Sequence, residues 1–522
     1  MITFATSTLL LRGLLASLLL AMVAAVTAVT DTSVPIRVTG GLVSGTANET
    51  GDIRIYRGIP FAAPPVGDLR WKAPQPVKPW SGVRKCDAFS ASPMQGAPAP
   101  FSMWSEEFLI PKEPISEDCL YLNVWTGAKS NTAKQPVVVW IYGGGFGSGG
   151  SAVPIYDGEA TAKKGVVFVS INYRVGPFGF FAHPELTKES GHNASGNYGL
   201  MDQLAALQWV KRNIAAFGGD PANVTIAGQS AGSMSVNCLV ASPLGKGLFN
   251  KAIAESGASF ARPYPSRQTA EENGLSVMKT LGASSLAELR AKSADEILKN
   301  AQALRGPITD GYVLPESIGF IFGASQQNRV ALLTGWNEDE GLLSGPVKNA
   351  ADFRQQAEQR YGNQAAKFLK FYPASTDAEA TQSQLNLARD QIFGMPNYIW
   401  ASVQSEQGQP TYVYRFTRKV PATGEYVKYG AFHTGEVAYA YDNLKFVNRP
   451  WESIDRELTS TMSTYWVNFI KTGNPNGSSV PKWPLYTIKS KEIMVFGKTA
   501  QAASLTDFDA LNFLSSTSPA QR

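Results

Sequence analysis

Residues 223–242, NVTIAGQSAGSMSVNCLVAS, restrict what this chain can fold into more than any other stretch. Residues 223–227 read as a short buried strand and residues 231–241 as a helix, which leaves Ser230 on the turn between them. Gly228 and Gly232 stand two residues before and after the serine. A side chain at either place would collide in a turn tight enough to push one hydroxyl out of the fold. The helix begins directly behind Ser230, so its first N–H groups and its dipole aim at a point where negative charge could develop on an oxygen during acyl transfer. With 48 glycines in the chain, the pattern G-x-S-x-G arises by chance too readily to decide anything alone. The strand before it and the helix after it make it a candidate nucleophile elbow.

A turn of this kind needs a parallel sheet around it, and the sequence supplies one. From residue 120 onward, buried apolar runs (LYLNVW, PVVVWIY, VVFVSINY, NVTIAG, KAIAES, VALLTGW, TYVYRF, IMVF) alternate with helical patterns such as GLMDQLAALQWVKRNIAAF. Strand, helix, strand at this spacing predicts an α/β fold whose mostly parallel sheet is covered on both faces. Two mainly amphipathic helical blocks, 261–328 and 349–403, read as insertions forming a lid over the carboxyl edge of the sheet. Residues 36–61 alternate apolar and polar positions around glycines and read as small antiparallel strands. The loop 86–119, with its low-complexity segment SPMQGAPAPF, is expected on the surface, and the tail after residue 501 is expected to be loosely ordered. No linker or repeat divides the chain, so residues 29–522 are read as one domain.

The 522 residues carry a net charge of +5, with Lys and Arg scattered rather than grouped. No basic run or aromatic-basic interleaving points to nucleic acid, and a small-molecule partner is expected. Arg12, the apolar run 13–28 and the small residues Val26 and Ala28 resemble a secretory signal peptide cut near Ala28. An uncleaved anchor is the alternative, but about sixteen apolar residues are short for a span. Export suits the cysteines if two of the three pair. Cys86 and Cys119 lie in loop-like sequence and are the expected couple, with Cys238 a buried thiol in the helix after the elbow.

Gly143, Gly144, Gly145 and Phe146 follow directly on the run PVVVWIY. Successive glycines let backbone N–H groups turn towards one point, so the loop is either an oxyanion hole or a flexible turn. An elbow later in the chain favours the first, since acyl-transfer sites of this architecture take one donor from such a loop and one from the residue after the nucleophile, here Ala231. A serine needs a base to take its proton, and there are three histidines: His183, His192 and His433. The chain order serine, acid, histidine selects His433, the one that follows Ser230. The acid must then lie between them after a strand, and VALLTGW ends in Asn337-Glu338-Asp339-Glu340. Three carboxylates in a row are commonly a solvated turn, and order alone does not choose among them.

The segments GGGF, SEDCLYLNVW, NYRVGPFGF, GNYGLMDQLAALQWVKRNIAAFGGDP and GQSAG stand in the order and spacing of type-B carboxylesterases, the family that includes cholinesterases. The resemblance runs over residues 38–499. It implies the α/β-hydrolase fold, hydrolysis of carboxylic esters without metal or cofactor, and a catalytic set of Ser230, Glu340 and His433. It also implies oxyanion donors at Gly144, Gly145 and Ala231, and a Cys86–Cys119 bridge. Arg70 with Glu117 and Arg174 with Asp202 look similar to the family's internal ion pairs. Where the family commonly has glutamate before the nucleophile, this chain has Gln229, which with Phe146 and Trp104 is a candidate substrate contact. A neutral amide there favours neutral, hydrophobic esters over choline esters. An amide or carbamate hydrolase and a non-catalytic binding protein are the competing readings.

Overall fold

The computed structural model describes residues 34–342 and 347–517. The expected signal peptide, residues 1–28, lies outside them. Eleven strands form the central sheet: β1 Thr46–Ala47, β2 Arg54–Pro60, β3 Tyr121–Thr126, β4 Gln135–Ile141, β5 Val167–Ile171, β6 Gly219–Gln229, β7 Lys251–Glu255, β8 Ala331–Asn337, β9 Thr411–Phe416, β10 Glu492–Phe496 and β11 Ala500–Ser504. Their spatial order is β11-β10-β9-β8-β7-β6-β4-β5-β3-β2-β1. From β5 across to β10 every neighbouring pair is parallel, while β1, β2, β3 and β11 pair antiparallel at the two ends. Strands β5, β7 and β9 are buried at every residue, as a sheet with helices on both faces requires.

The helices that matter for the site are α1 Tyr198–Asn213, α2 Ala231–Ala241, α3 Arg267–Thr280, α4 Ala350–Tyr361, α5 Asp377–Arg389, α6 Met395–Glu406, α7 Ser453–Thr472 and α8 Phe508–Thr517. Between α5 and α6 the chain makes a π-helical turn, Asp390–Gly394. Arg174 and Asp202 tie the start of α1 to the loop after β5 through a buried pair with contacts of 2.8 Å, and Arg70 forks onto Glu117. Both pairs have the scaffold role expected of them.

Three expectations need correction. The strand before the elbow spans residues 219–229 rather than 223–227, because Gly219 also pairs with Gln135 of β4 ahead of an irregularity that ends at Val224. As far as Thr517 the tail is ordered: β11 closes the sheet edge, and α8 buries Leu511, Phe513 and Leu514. Phe513 packs against Tyr361, Phe368 and Phe371, and this aromatic contact, not visible locally in the sequence, holds the tail down. The loop 86–119 is partly buried, with Met103, Phe108 and Ile110 in the core.

The expected Cys86–Cys119 bridge is absent, and all three cysteines are free and buried. Cys86 follows the strand Val83–Lys85 and puts its Sγ beside the Gly58 carbonyl, near the middle of β2. Cys119 lies just before β3, at the Pro60 end of β2, and faces a small cavity together with Met94 and Arg174. Cys86 thus lies against the middle of β2, whereas Cys119 sits near its Pro60 end with a small cavity beside it.

Candidate active site

The site sits at the carboxyl ends of β4, β6 and β8, where an open parallel sheet leaves a crevice. At the elbow Ser230 has φ 58° and ψ −124°, so its side chain leaves the strand direction and enters no helix. The flanking glycines are sterically required. A Cβ on Gly228 would lie 2.6 Å from the backbone of Gly232, and one on Gly232 would lie 2.0 Å from the Ile141 carbonyl. The serine N–H is tied to the Glu255 carbonyl at 2.9 Å, which anchors the turn to β7. Ser230 is half-buried, whereas Gln229 and Ala231 on either side are buried.

The glycine loop packs directly on this turn. A Cβ on Gly143 would come within 3.0 Å of the Ser230 Cβ and 2.6 Å of the Gln229 carbonyl. Gly144, Gly145 and Phe146 all have positive φ, at 109°, 60° and 59°, a run that turns consecutive amides to one side. Gln95 clamps the loop's far end, its side chain donating to the Gly149 carbonyl and accepting from the Gly149 amide, both at 2.8 Å. Nothing in the low-complexity run around Gln95 marked it for this role. Among the described residues the amides of Gly144, Gly145 and Ala231 have no protein acceptor. Phe146 is buried edge-on against Phe180 and props the loop from behind.

The three carboxylates after β8 separate by partner. Glu338 is bound by Arg389 at 3.1 Å and Arg415 at 2.9 Å. Burial raises its pKa, but the two guanidiniums outweigh that and hold it below its ordinary value. Asp339 accepts from the Lys419 ammonium at 2.6 Å and the Ala431 amide at 2.7 Å. Glu340 alone turns inward, fully buried. One oxygen accepts the Asn337 amide at 2.8 Å and the other lies 2.8 Å from Nδ1 of His433. His433 is itself buried, stacked on Phe393 with centroids 4.4 Å apart. The sequence carried no sign of Phe393, which comes from the π-helical turn.

The other two histidines are remote from this constellation: His183 caps the helix Pro184–Glu189, and His192 stacks on Tyr312 at 4.0 Å. Trp104 does reach the site, donating from its indole N–H to Thr434 at 3.1 Å and meeting the His433 ring edge-on. Gln229 takes a different place from the one expected. It is 2 % exposed, and its amide nitrogen lies 3.3 Å and 3.2 Å from the two ring nitrogens of His433. It thus packs on the imidazole rather than facing a substrate.

Behind the histidine lie two more buried carboxyls that the sequence did not single out. Glu436 accepts from Asn337 at 2.5 Å, and burial with the neighbouring Glu255 and Glu340 charges raises its pKa far above the usual range. Glu255 accepts the Trp466 indole N–H at 2.6 Å, and burial pushes it up to about 8. Among the described residues no group of three or more His, Cys, Asp or Glu is placed to hold a metal ion.

This arrangement suits transfer of an acyl group, and comparison with known proteins agrees. The model of the carboxylesterase family matches residues 30–513. The fumonisin B1 esterase of Sphingopyxis macrogoltabida is 38% identical over 472 residues, covering 86% of this chain and 84% of that protein. The para-nitrobenzyl esterase of Bacillus subtilis is 37% identical over 481 residues, covering 87% and 93%. Carboxylesterase 1D of Mus musculus is 32% identical over 507 residues, covering 88% of each. The chain thus belongs to the carboxylesterase family, with its α/β-hydrolase fold, and is a carboxylic ester hydrolase.

Proposed function

We propose that the chain is a serine hydrolase that cleaves esters through an acyl-enzyme on Ser230. The observation that carries this reading is the 2.8 Å contact between Nδ1 of His433 and the buried Glu340, in a site whose glycine loop packs on the Ser230 turn. Nδ1–H donates to Glu340, so Nε2 is left as the basic nitrogen. As the Ser230 oxygen attacks the carbonyl, Nε2 takes its proton and the C=O pair moves onto oxygen, facing the amides of Gly144, Gly145 and Ala231. Collapse of this intermediate breaks the bond to the alcohol, which leaves with the proton from His433. Water then repeats the sequence and releases the acid.

The chain is read as one exported domain, delivered by residues 1–28, with helical insertions at about 261–328 and 349–403 shaping the pockets. Its preferred esters are uncharged and hydrophobic next to the scissile carbonyl. Gln229 puts no negative charge beside His433, so a choline ester would find no carboxylate there, and Trp104 offers a cation only about 1–2 kcal/mol. A fluorophosphonate probe tests the assignment: wild type should carry one adduct on the peptide containing Ser230, and Ser230→Ala none. An unlabelled, folded wild type would point instead to a binding protein, and labelling with turnover of amides or carbamates but not esters would move the substrate class. Sequencing the N-terminus of exported protein checks the cleavage near Ala28.

A further inference from the structure

A cavity of about 1090 Å³ opens beside the proposed site. Its wall includes a neighbour of each residue proposed for the chemistry. Met234 follows Ser230 by one helical turn, and its amide bonds the Ser230 carbonyl. Leu342 is two residues beyond Glu340, and Ile392 precedes Phe393, which stacks on His433. The near part of the wall is apolar, with Met234, Leu342, Leu387, Ile392 and Met395.

Among the described residues the charged side chains lining this cavity all have one sign: Arg262, Lys348 and Arg360 line it, and no Asp or Glu does. The helices explain how acids are kept away. On α4 the lining positions Phe353, Gln356, Ala357, Arg360 and Tyr361 follow the helical repeat, and Asp352 and Glu358 fall off that stripe. On α5, Gln384, Leu387 and Ala388 line the space, while Asp377 and Glu379 stand in the first turn. Among the described residues none of the three cations has a carboxylate partner. Lys348 reaches only the amide oxygen of Gln356, at 3.2 Å, and the Arg360 guanidinium lies over the Tyr361 ring, at 5.5 Å. Elsewhere the buried arginines Arg70, Arg174, Arg389 and Arg415 each hold a carboxylate, whereas Arg262, Lys348 and Arg360 are exposed side chains along the cavity.

We propose that this cavity receives the far end of the substrate and that this end carries a free carboxylate. The substrate class is then an anionic amphiphilic ester, apolar beside the scissile carbonyl and negatively charged beyond it, such as a monoester of a medium-chain dicarboxylic acid. The proposal rests on Ser230 being the nucleophile, as proposed above. The apolar wall near Met234 holds the chain, and the cations supply a positive field that a neutral ester does not use.

The test compares mono-p-nitrophenyl suberate with p-nitrophenyl octanoate, which share the ester and the chain and differ in the terminal carboxylate. Wild type should have the higher kcat/KM for the suberate, and the suberate-to-octanoate ratio should fall as salt is raised through roughly 0.5 M. Each of Arg262→Gln, Lys348→Gln and Arg360→Gln should lower the ratio about two- to fivefold, the range for exposed charge pairs, and the triple variant by about tenfold or more. Arg360→Glu should lower it further than Arg360→Gln. A wild-type ratio at or below one, or a triple variant that keeps the wild-type ratio, overturns the proposal while leaving ester hydrolysis intact. Hydrolysis of neither ester counts against the serine-hydrolase reading instead. Calorimetry then decides the cavity: tighter binding of octanoate than octanamide, lost in the triple variant, supports it, and equal binding overturns it.

Discussion

Replacing Glu340 by glutamine separates the proposed chemistry from mere folding, because this carboxylate must accept two hydrogen bonds at once. One oxygen takes the Asn337 amide and the other takes Nδ1–H of His433, each at 2.8 Å. A glutamine has a single acceptor. If its oxygen stays with Asn337, its NH2 faces Nδ1 and the ring must carry its proton on Nε2, so no lone pair remains to receive the serine proton. If the amide flips, NH2 faces the Asn337 N–H, and a buried donor is left unpaired at about 1–3 kcal/mol. Either way the compensating charge for the imidazolium is gone. The known penalty for such a tautomer error is on the order of 10⁴ in kcat, about 5 kcal/mol of transition-state stabilisation. Glu338→Gln should behave otherwise, because it loosens contacts to Arg389 and Arg415, both of which also have Asp507 nearby. It should lower stability by about 1 kcal/mol and leave kcat within about threefold. Asp339→Asn should likewise be mild. The assay is steady-state hydrolysis of p-nitrophenyl butyrate with thermal unfolding of each variant. A folded Glu340→Gln that keeps a tenth of wild-type kcat, or a Glu338→Gln as inactive as Glu340→Gln, would refute the reasoning.

Three further outcomes are expected. Gln229→Glu places a carboxylate against the His433 ring, so it should raise kcat/KM for a choline ester relative to a neutral ester of the same acyl group and raise the pH of the acidic limb of the rate profile. An unchanged ratio would remove the electrostatic account of substrate charge. Alkylation without reductant should find three free thiols after unfolding and none reactive in the native protein, since burial raises Cys86 to about 11, Cys238 to about 12 and Cys119 well above its usual value; a Cys86–Cys119 peptide would contradict this. Glu255 binds a proton in the folded state up to about pH 8 but only to about 4.5 when exposed, so between those values rising pH favours the unfolded chain by up to about 1.4 kcal/mol per pH unit. Glu255→Gln keeps an acceptor for Trp466 and should gain stability over wild type from pH 5 to 8, as read by denaturant unfolding. A constant difference across that range would show that Glu255 does not titrate there.

The features legible in the sequence are those whose causes lie within a few residues. The elbow needs glycine at 228 and 232 because backbone atoms of the same turn and the adjacent strand leave no room for a Cβ, so both the motif and its helix at Ala231–Ala241 could be placed in advance. The buried runs likewise announced a parallel sheet, since covering both faces demands apolar residues throughout. Chain order selected His433, and family resemblance, not local pattern, selected Glu340. The sequence could not show why Glu340 rather than its neighbours turns inward: that depends on Arg389, Arg415 and Lys419, which arrive from as far as 80 residues away to claim Glu338 and Asp339. The same holds for Phe393 against the imidazole, for Gln229 beneath it, and for α8, whose polar-looking approach hid a face that Tyr361 and Phe368 cover. Cys86 and Cys119 looked pairable because both lie in loop-like sequence and the family resemblance implied a bridge, whereas bridging depends on where the fold sets each thiol, Cys86 at the middle of β2 and Cys119 near its Pro60 end. Backbone sterics and hydrophobic periodicity are local and therefore written in the chain; the choice of partner for a charge, a ring or a thiol is a contact between distant segments, and only the folded sheet brings those segments together.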